Sequence, residues 1–139
     1  MKFTVKNWMN DLVIFVDPDM SVLDALGLMR RRYVNSVIVR KTDSNPEYGI
    51  VTSTDICDKI VAHNNNPAET KIRDIMNSPL ITVKGDMPVQ ECAAKMKEYH
   101  IHHLPVVDNE GNVIGMISAT DFMVVAEGLG TQFQDRSLR

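Results

Sequence analysis

The chain contains two copies of one short segment, and this repeat constrains the fold more than any other feature of the sequence. Residues 49–56 read GIVTSTDI, and residues 115–122 read GMISATDF. Both copies run glycine, two apolar residues, a hydroxyl residue, one variable residue, threonine, aspartate and an apolar residue. Repetition of this kind indicates that the chain is built from two similar structural units.

The similarity extends far beyond this segment. The stretch that begins at Val5 aligns with the stretch that begins at Ile72. The matched positions include Met9 and Met76, Asn10 and Asn77, Met20 and Met87, and Met29 and Met96. We therefore divide the chain into a first repeat, a polar linker, a second repeat and a loosely held tail, at residues 5–63, 64–71, 72–129 and 130–139.

Both repeats have the same predicted order of secondary-structure elements. A short helical turn leads into an apolar strand, LVIFV or LITV, and a helix with apolar residues at helical spacing follows. Ser21 and Asp24 form a capping-box pattern at the start of that helix in the first repeat. Two strands come next, SVIV then GIVT in the first repeat and LPVV then VIGMIS in the second. A last helix begins at the repeated aspartate, over Asp55–Ala62 and Asp121–Glu127. The order β-α-β-β-α, present twice, predicts a mixed α/β (α+β) fold.

Composition and charge argue against several classes of protein. The chain of 139 residues is 44% hydrophobic and 24% charged, as globular domains are. Its net charge of −3 offers no excess of positive charge for a nucleic-acid backbone. Its apolar runs are much shorter than the ~20 residues of a membrane-spanning helix, and the N-terminus lacks the long apolar core of a signal peptide. Because Cys57 and Cys92 read as buried thiols in a reducing compartment, we expect a cytoplasmic protein.

The repeated segment places the start of a helix directly after a strand. The first N–H groups of a helix point outward without partners, beside a partial positive charge, and phosphate binds well there. Hydroxyl groups at the same place can add donors. They belong to Thr52, Thr54, Ser118 and Thr120. An aspartate would repel a phosphate, but its two oxygens suit the paired hydroxyls of a ribose, as in dinucleotide-binding folds.

A second interpretation of the repeated segment is helix capping alone. Asp and Thr are good N-cap residues, each worth about 1 kcal/mol. One copy would be explained by capping. Two copies at the same place in a repeated unit favour a binding role for Asp55 and Asp121.

The order of these segments identifies a family resemblance. From about Val5 to Gly128 the chain resembles a tandem of cystathionine-β-synthase-type (CBS) domains, also called a Bateman module. The segments that carry the resemblance are VNSVIVRK and GIVTSTD in the first repeat, and IRDIMN, IHHLPVVD and GNVIGMISATD in the second. No single segment is specific to this family. The order of the segments, which is the same in both repeats, is specific.

The resemblance implies both a fold and a class of ligand. Two β-α-β-β-α repeats would pack sheet to sheet about a pseudo-two-fold axis and leave two clefts. Members of the family bind AMP, ADP, ATP, NAD or S-adenosylmethionine in such clefts. By the family's hydroxyl–x–x–Asp motif, Asp55 and Asp121 would accept the ribose hydroxyls. The neighbouring hydroxyl residues would then face ribose or phosphate.

The resemblance also implies that each cleft takes residues from both repeats. The Asp55 cleft would use Leu80, Ile81, His102, His103 and Pro105, and the Asp121 cleft would use Val13, Ile14, Asn35 and Ser36. Histidines can become positively charged beside an anion, whereas Asn and Ser offer only neutral donors. We therefore expect the Asp55 cleft to be the tighter phosphate site. The family's strong nucleotide binders carry arginine where this chain has His103.

Two other kinds of site are weighed against this one. The segment HIHH, residues 100–103, could suggest a zinc site, but strand geometry separates the histidines and no cysteine or acid lies adjacent. Ser118 with a histidine and Asp121 could suggest a catalytic triad, but no GxSxG segment surrounds the serine. We therefore expect no metal, no catalytic residue and no catalytic cofactor.

Together these observations predict a regulatory module that binds an adenosine nucleotide, with AMP or ATP the foremost candidates. The module would be a homodimer, and its state would be detected by a partner protein. The alternative is a structural dimerisation module whose clefts stay empty. We expect no role for nucleic acid or a membrane.

Overall fold

The chain folds into two compact units. The computed structural model describes residues 3–137, with side chains described as far as Thr131. One unit is the continuous segment Val13–Leu80, called the Asp55 unit below. The other, called the Asp121 unit, combines the N-terminal segment up to Leu12 with the chain from Ile81 onward.

The Asp55 unit contains a three-stranded sheet covered by helices. Strand β1 (Phe15–Val16) pairs in parallel with β2 (Ser36–Val39), which pairs antiparallel with β3 (Gly49–Thr52). Helix α2 (Val22–Arg32) makes the crossover from β1 to β2. It begins as the sequence predicts, because the Ser21 hydroxyl accepts a hydrogen bond from the Asp24 N–H over 3.1 Å. The apolar side of α2 packs with the inner side chains of the strands to form the core.

The Asp121 unit has the same topology. Strand β4 (Val83–Lys84) pairs in parallel with β5 (His103–Val107), which pairs antiparallel with β6 (Val113–Ser118). Helix α4 (Val89–Tyr99) makes the crossover, and α5 (Asp121–Ser137) follows β6. The predicted α/β (α+β) fold class is therefore confirmed, with two small three-stranded sheets. Among the described residues, no helix combines the length and the apolar character needed to cross a membrane.

The compact units differ from the sequence repeats at their first elements. Helix α1 (Val5–Trp8) begins the first repeat, yet its Val5 is fully buried in the core of the Asp121 unit. In the same way, the 3-10 helix Ile72–Asp74 begins the second repeat and contributes to the core of the Asp55 unit. Each sheet is therefore completed by the opening segment of the other repeat.

The repeated Met-Asn pairs explain the repeated glycines. The Asn77 backbone exchanges hydrogen bonds of 2.9 and 3.0 Å with Ile50 in β3. This brings Met76 so close that a Cβ atom on Gly49 would lie 2.6 Å from its sulfur. Glycine at this position is required by close packing, and Gly115 lies against Met9 and Asn10 in the same way.

The last helix of each unit departs from the sequence prediction. In the Asp55 unit, α3 (Ser53–Asp55) passes directly into a π-helix, Ile56–Val61. In the Asp121 unit, α5 continues to Ser137, well past the predicted end at Glu127. The backbone of the segment expected to be a loose tail is therefore helical as far as Ser137, while the last two residues lie outside the described range.

The two cysteines also differ. Cys92 is fully buried in the core of the Asp121 unit, as predicted. Cys57 is exposed, so the prediction that both thiols are buried was wrong. Ile56 and Ile60 pack against the core from this segment, and Cys57 lies on its exposed side.

Candidate functional site

The corner between β6 and α5 brings two hydroxyls and one carboxylate together. Oδ2 of Asp121 accepts the Ser118 backbone N–H over 2.8 Å and the Ser118 hydroxyl over 3.1 Å. The Ser118 hydroxyl also lies 2.8 Å from the hydroxyl of Thr120. Asp121 is half-buried, and within its unit no described side chain donates to its Oδ1. One carboxylate oxygen thus caps the helix, and the other accepts no hydrogen bond from a described side chain of this unit.

His103 lies beside this corner because strand pairing places it there. It stands directly opposite Ser118 in the β5–β6 ladder, and the neighbouring His102 carbonyl accepts the Ala119 N–H over 2.9 Å. Burial holds the pKa of His103 below its ordinary value, and His102 lowers it further. Asp121 opposes this lowering of the pKa, so its carboxylate acts electrostatically on His103.

The corner between β3 and α3 has the same first set of contacts. Oδ2 of Asp55 accepts the Thr52 backbone N–H over 2.9 Å and the Thr52 hydroxyl over 3.4 Å. Ser36 lies opposite Thr52 in the ladder, and the Asn35 carbonyl accepts the Ser53 N–H over 3.0 Å. Asp55 is only 6% exposed, whereas Asp121 is half-buried.

Two residues that were not predicted as site residues bind to the second carboxylate oxygen of Asp55. The Asn77 side chain donates to Oδ1 over 2.9 Å, and Nζ of Lys59 lies 3.2 Å from the same atom. The repetition of Asn10 at Asn77 was a signal in the sequence, because a polar residue at equivalent positions suggests a shared contact. Lys59 had no such signal, since its counterpart in the second repeat is Val125.

The remaining predicted site residues divide between the two units. The Asp55 unit contains Val13, Ile14, Asn35, Ser36, Thr52, Thr54 and Leu80, and the Asp121 unit contains Ile81, His102, His103, Pro105, Ser118 and Thr120. Pro105 is buried within β5, whereas His102, Thr54 and Thr120 are exposed. The described geometry joins His103 to the Asp121 corner of its own unit. The expected use of His102 and His103 in a site at Asp55 stays a prediction.

An open groove lies next to the Asp121 corner, within the same unit. Its volume is about 600 Å³, within the usual range of small-molecule sites. His102, Ala119 and Phe122 line the side near the corner, and Met96 and Ile101 add apolar surface. The groove therefore adjoins the corner through Ala119 and Phe122, but Ser118, Thr120 and Asp121 do not line it.

The histidine segment is the part of the sequence that could suggest a zinc site. Among the residues that the structure describes, no group of three or more His, Cys, Asp and Glu side chains is arranged to hold a metal ion. His102 lies just before β5 and is exposed, whereas His103 begins β5 and is half-buried.

Comparison with known proteins defines the family. A model of the CBS domain matches residues 5–62 and residues 72–128. The chain therefore belongs to the CBS-domain family, as its sequence motifs predicted. The two matched stretches contain the two Asp corners, one in each.

Three similar proteins illustrate the range of this family. MK0525 of Methanopyrus kandleri is 35% identical over 113 residues, which are 81% of this chain and 57% of that protein. The hexameric CBS-CP12 protein from bloom-forming cyanobacteria has a TM-score of 0.83 at 27% identity, over 89% of this chain and 72% of that one. The CBS domain pair of protein MJ0100, in complex with 5′-methylthioadenosine and S-adenosyl-L-methionine, has a TM-score of 0.77 at 29% identity, over 90% of this chain and 96% of that one.

Proposed function

We propose that this protein is a ligand-sensing regulatory module that binds an adenosine-containing small molecule at the Asp121 corner. The observation that carries the proposal is the carboxylate of Asp121, which has one oxygen open beside the hydroxyls of Ser118 and Thr120. A ribose presents two neighbouring hydroxyl donors, and a carboxylate oxygen is an acceptor with room for both. The similar MJ0100 domain pair forms complexes with two adenosine compounds, which supports the same ligand class here.

The charge around the corner favours ligands with few phosphate groups. A pKa below the ordinary value leaves His103 a neutral donor at pH 7 in the free protein. A neutral imidazole attracts a polyphosphate less than an arginine does, because it carries no fixed charge. We therefore place AMP, 5′-methylthioadenosine and S-adenosylmethionine ahead of ATP and NAD.

The expected role is regulation and not catalysis. The Ser118 hydroxyl bonds to Thr120 and to the Asp121 oxygen that also accepts the Ser118 N–H, so its contacts are those of a helix cap. A ligand can shift the balance between two states of the protein only by its different affinity for them. A partner protein, or a second copy of the chain, would respond to that shift.

Thermal unfolding with a ligand panel tests the proposal. A ligand at ~100 times its dissociation constant should add about 2.7 kcal/mol to the free energy of unfolding. Adenosine should stabilise the protein and 2′,3′-dideoxyadenosine should not, because the latter lacks both ribose hydroxyls. Asp121→Asn keeps the size of the side chain and should remove the difference between the two nucleosides. No stabilisation by any adenosine compound would contradict the proposal.

A structural dimerisation module is the second candidate function. Three apolar side chains on the last helices are strongly exposed: Val61 at 70%, Met123 at 71% and Val124 at 54%. Exposed apolar groups of this kind mark interaction surfaces when they cluster. If sedimentation shows a dimer that Val124→Glu dissociates, and if the ligand panel has no effect, this second function is the better one.

A further inference from the structure

The two Asp corners are alike at one carboxylate oxygen and different at the other. In both, Oδ2 accepts the backbone N–H and the hydroxyl of the residue three positions earlier, Thr52 or Ser118. In the Asp55 corner, Oδ1 is bonded by the Asn77 amide at 2.9 Å and approached by the Lys59 ammonium at 3.2 Å. The atom that stays open at Asp121 is therefore occupied at Asp55.

The Lys59 ammonium is held by two hydrogen bonds in addition to its ion pair with Asp55. Its Nζ donates to the Ile75 carbonyl over 2.8 Å and to Oδ1 of Asn77 over 3.2 Å. All three donor positions of the ammonium are thus used, two of them by the segment that also holds Asn77. Lys59 lies in the π-helix. Such helices are rare overall, and many of those known are found at functional sites.

The repeat provides a matched comparison, because the Asp121 corner lacks both of these partners. In the sequence alignment the residue that matches Lys59 is Val125, which is apolar and 3% exposed. The position of Asn77 is taken by Asn10, whose Oδ1 accepts the Leu12 backbone N–H over 2.9 Å. The backbone of Asn10 pairs with Met116 at 2.8 Å, as the backbone of Asn77 pairs with Ile50. The two asparagines therefore differ only in what their side chains bind.

We propose that Lys59 and Asn77 close the Asp55 corner to ribose hydroxyls, so that the chain has one adenosine-binding corner, at Asp121. This rests on the proposed function above. A neutral hydroxyl makes a weaker bond to a carboxylate than an ammonium does, so a ribose does not displace Lys59. The Asp55 corner then acts as a fixed support that ties its helix to the segment around Asn77. The sequence analysis expected the tighter ligand site at Asp55, whereas this proposal places the ligand at Asp121.

The wild-type protein provides the first test, with 5′-methylthioadenosine as the probe. Calorimetric titration should give one bound molecule per chain. Thr54 and Thr120 occupy equivalent positions in the repeats, and both are exposed. In methyl NMR spectra the Thr120 signal should therefore move on titration while the Thr54 signal stays. Two molecules per chain, or equal movement of both signals, would overturn the proposal and leave the proposed function standing.

Two variants separate the corners further. Asp121→Asn should weaken binding at least about tenfold, because the ribose loses its bonds to a charged acceptor. Lys59→Val introduces the residue of the equivalent position and should raise the number of bound molecules toward two. If Asp121→Asn binds as tightly as wild type, the single site is not at Asp121 and the proposal is wrong. Failure of the wild-type protein to bind any adenosine compound would instead remove the proposed function, and this inference with it.

Discussion

The side-chain amide of Asn77 donates to Oδ1 of Asp55 over 2.9 Å, while the Asn77 backbone pairs with Ile50 on the neighbouring strand. One residue therefore connects the strand edge, the helix start and a nearly buried carboxylate. Asp55 is only 6% exposed, and a buried polar group costs free energy unless it is hydrogen-bonded. This dependence leads to the first prediction.

Replacing Asn77 by Leu should destabilise the protein by about 1–3 kcal/mol, the cost of removing a donor from a buried charged acceptor. The backbone pairing with Ile50 does not need the side chain and should survive. Chemical denaturation measures the change. Asn10→Leu is the matched control, and its cost should be smaller because the Asn10 side chain serves an exposed N–H at Leu12. Equal costs for the two variants would contradict the special role of the Asn77 amide.

Replacing Gly49 by Ala should destabilise the protein by about 1–3 kcal/mol through overpacking. The new Cβ atom would lie 2.6 Å from the Met76 sulfur and 3.3 Å from the Asn77 carbonyl oxygen. Thermal unfolding measures the effect. Gly130→Ala in α5 is the control, since its Cβ meets no described atom within 4 Å and alanine favours helix by about 1 kcal/mol. A neutral Gly49→Ala variant would show that Met76 moves aside freely.

The stability of the protein should fall as the pH drops below about 6.5, in part because of His103. Burial lowers the pKa of His103 in the folded state, so the unfolded chain binds the proton more readily. The free energy of unfolding therefore rises with pH through this range. The contribution of His103 is fully present above the pKa of the unfolded chain. Denaturation of wild type and His103→Gln at pH 5 and pH 7.5 measures this contribution. The variant should lose less stability at pH 5, and identical losses would exclude a role for His103.

The two cysteines should react at very different rates with a thiol reagent such as DTNB. Burial raises the pKa of Cys92 to about 11, which leaves almost no thiolate at pH 8, and the side chain is also inaccessible. Cys57 is exposed and should react quickly. Cys57→Ser should remove the fast phase and leave one thiol that reacts only in denaturant. A fast phase that persists in Cys57→Ser would show that the core around Cys92 opens readily.

Much of the fold follows from local patterns in the sequence. Strands β2, β3 and β6 lie where the apolar runs predicted them, over Ser36–Val39, Gly49–Thr52 and Val113–Ser118. Alternation or continuity of apolar residues and short polar turns suffice for such elements, because both signals act over a few residues. Strand β1 is shorter than its apolar run, since only Phe15 and Val16 find a partner strand. Strand length depends on pairing between distant segments, which a local pattern does not contain.

The contacts at the repeated corners follow from the sequence, whereas those of Lys59 and Asn77 do not. Ser118 and Asp121 contact each other as the capping interpretation expects, because a hydroxyl and an acid three residues apart can meet at a helix start, and their role in binding a ligand stays a prediction. Lys59 and Asn77 were not predicted to meet Asp55, because a third element, the 3-10 segment, brings Asn77 to the corner. The π-helix that carries Lys59 has no recognisable sequence signal either.

The sequence by itself determined that this chain is a repeated α/β protein of the CBS-domain family with two hydroxyl–Asp corners. These properties are encoded by the order of neighbouring residues, and each can be read within a short window. Only the tertiary structure decided that the opening helical turn of each repeat packs into the core beside the other repeat's sheet, and that both oxygens of Asp55 are bonded by described donors. Those outcomes depend on which distant donors and apolar groups reach the same point in space, and that is set by packing of the folded chain.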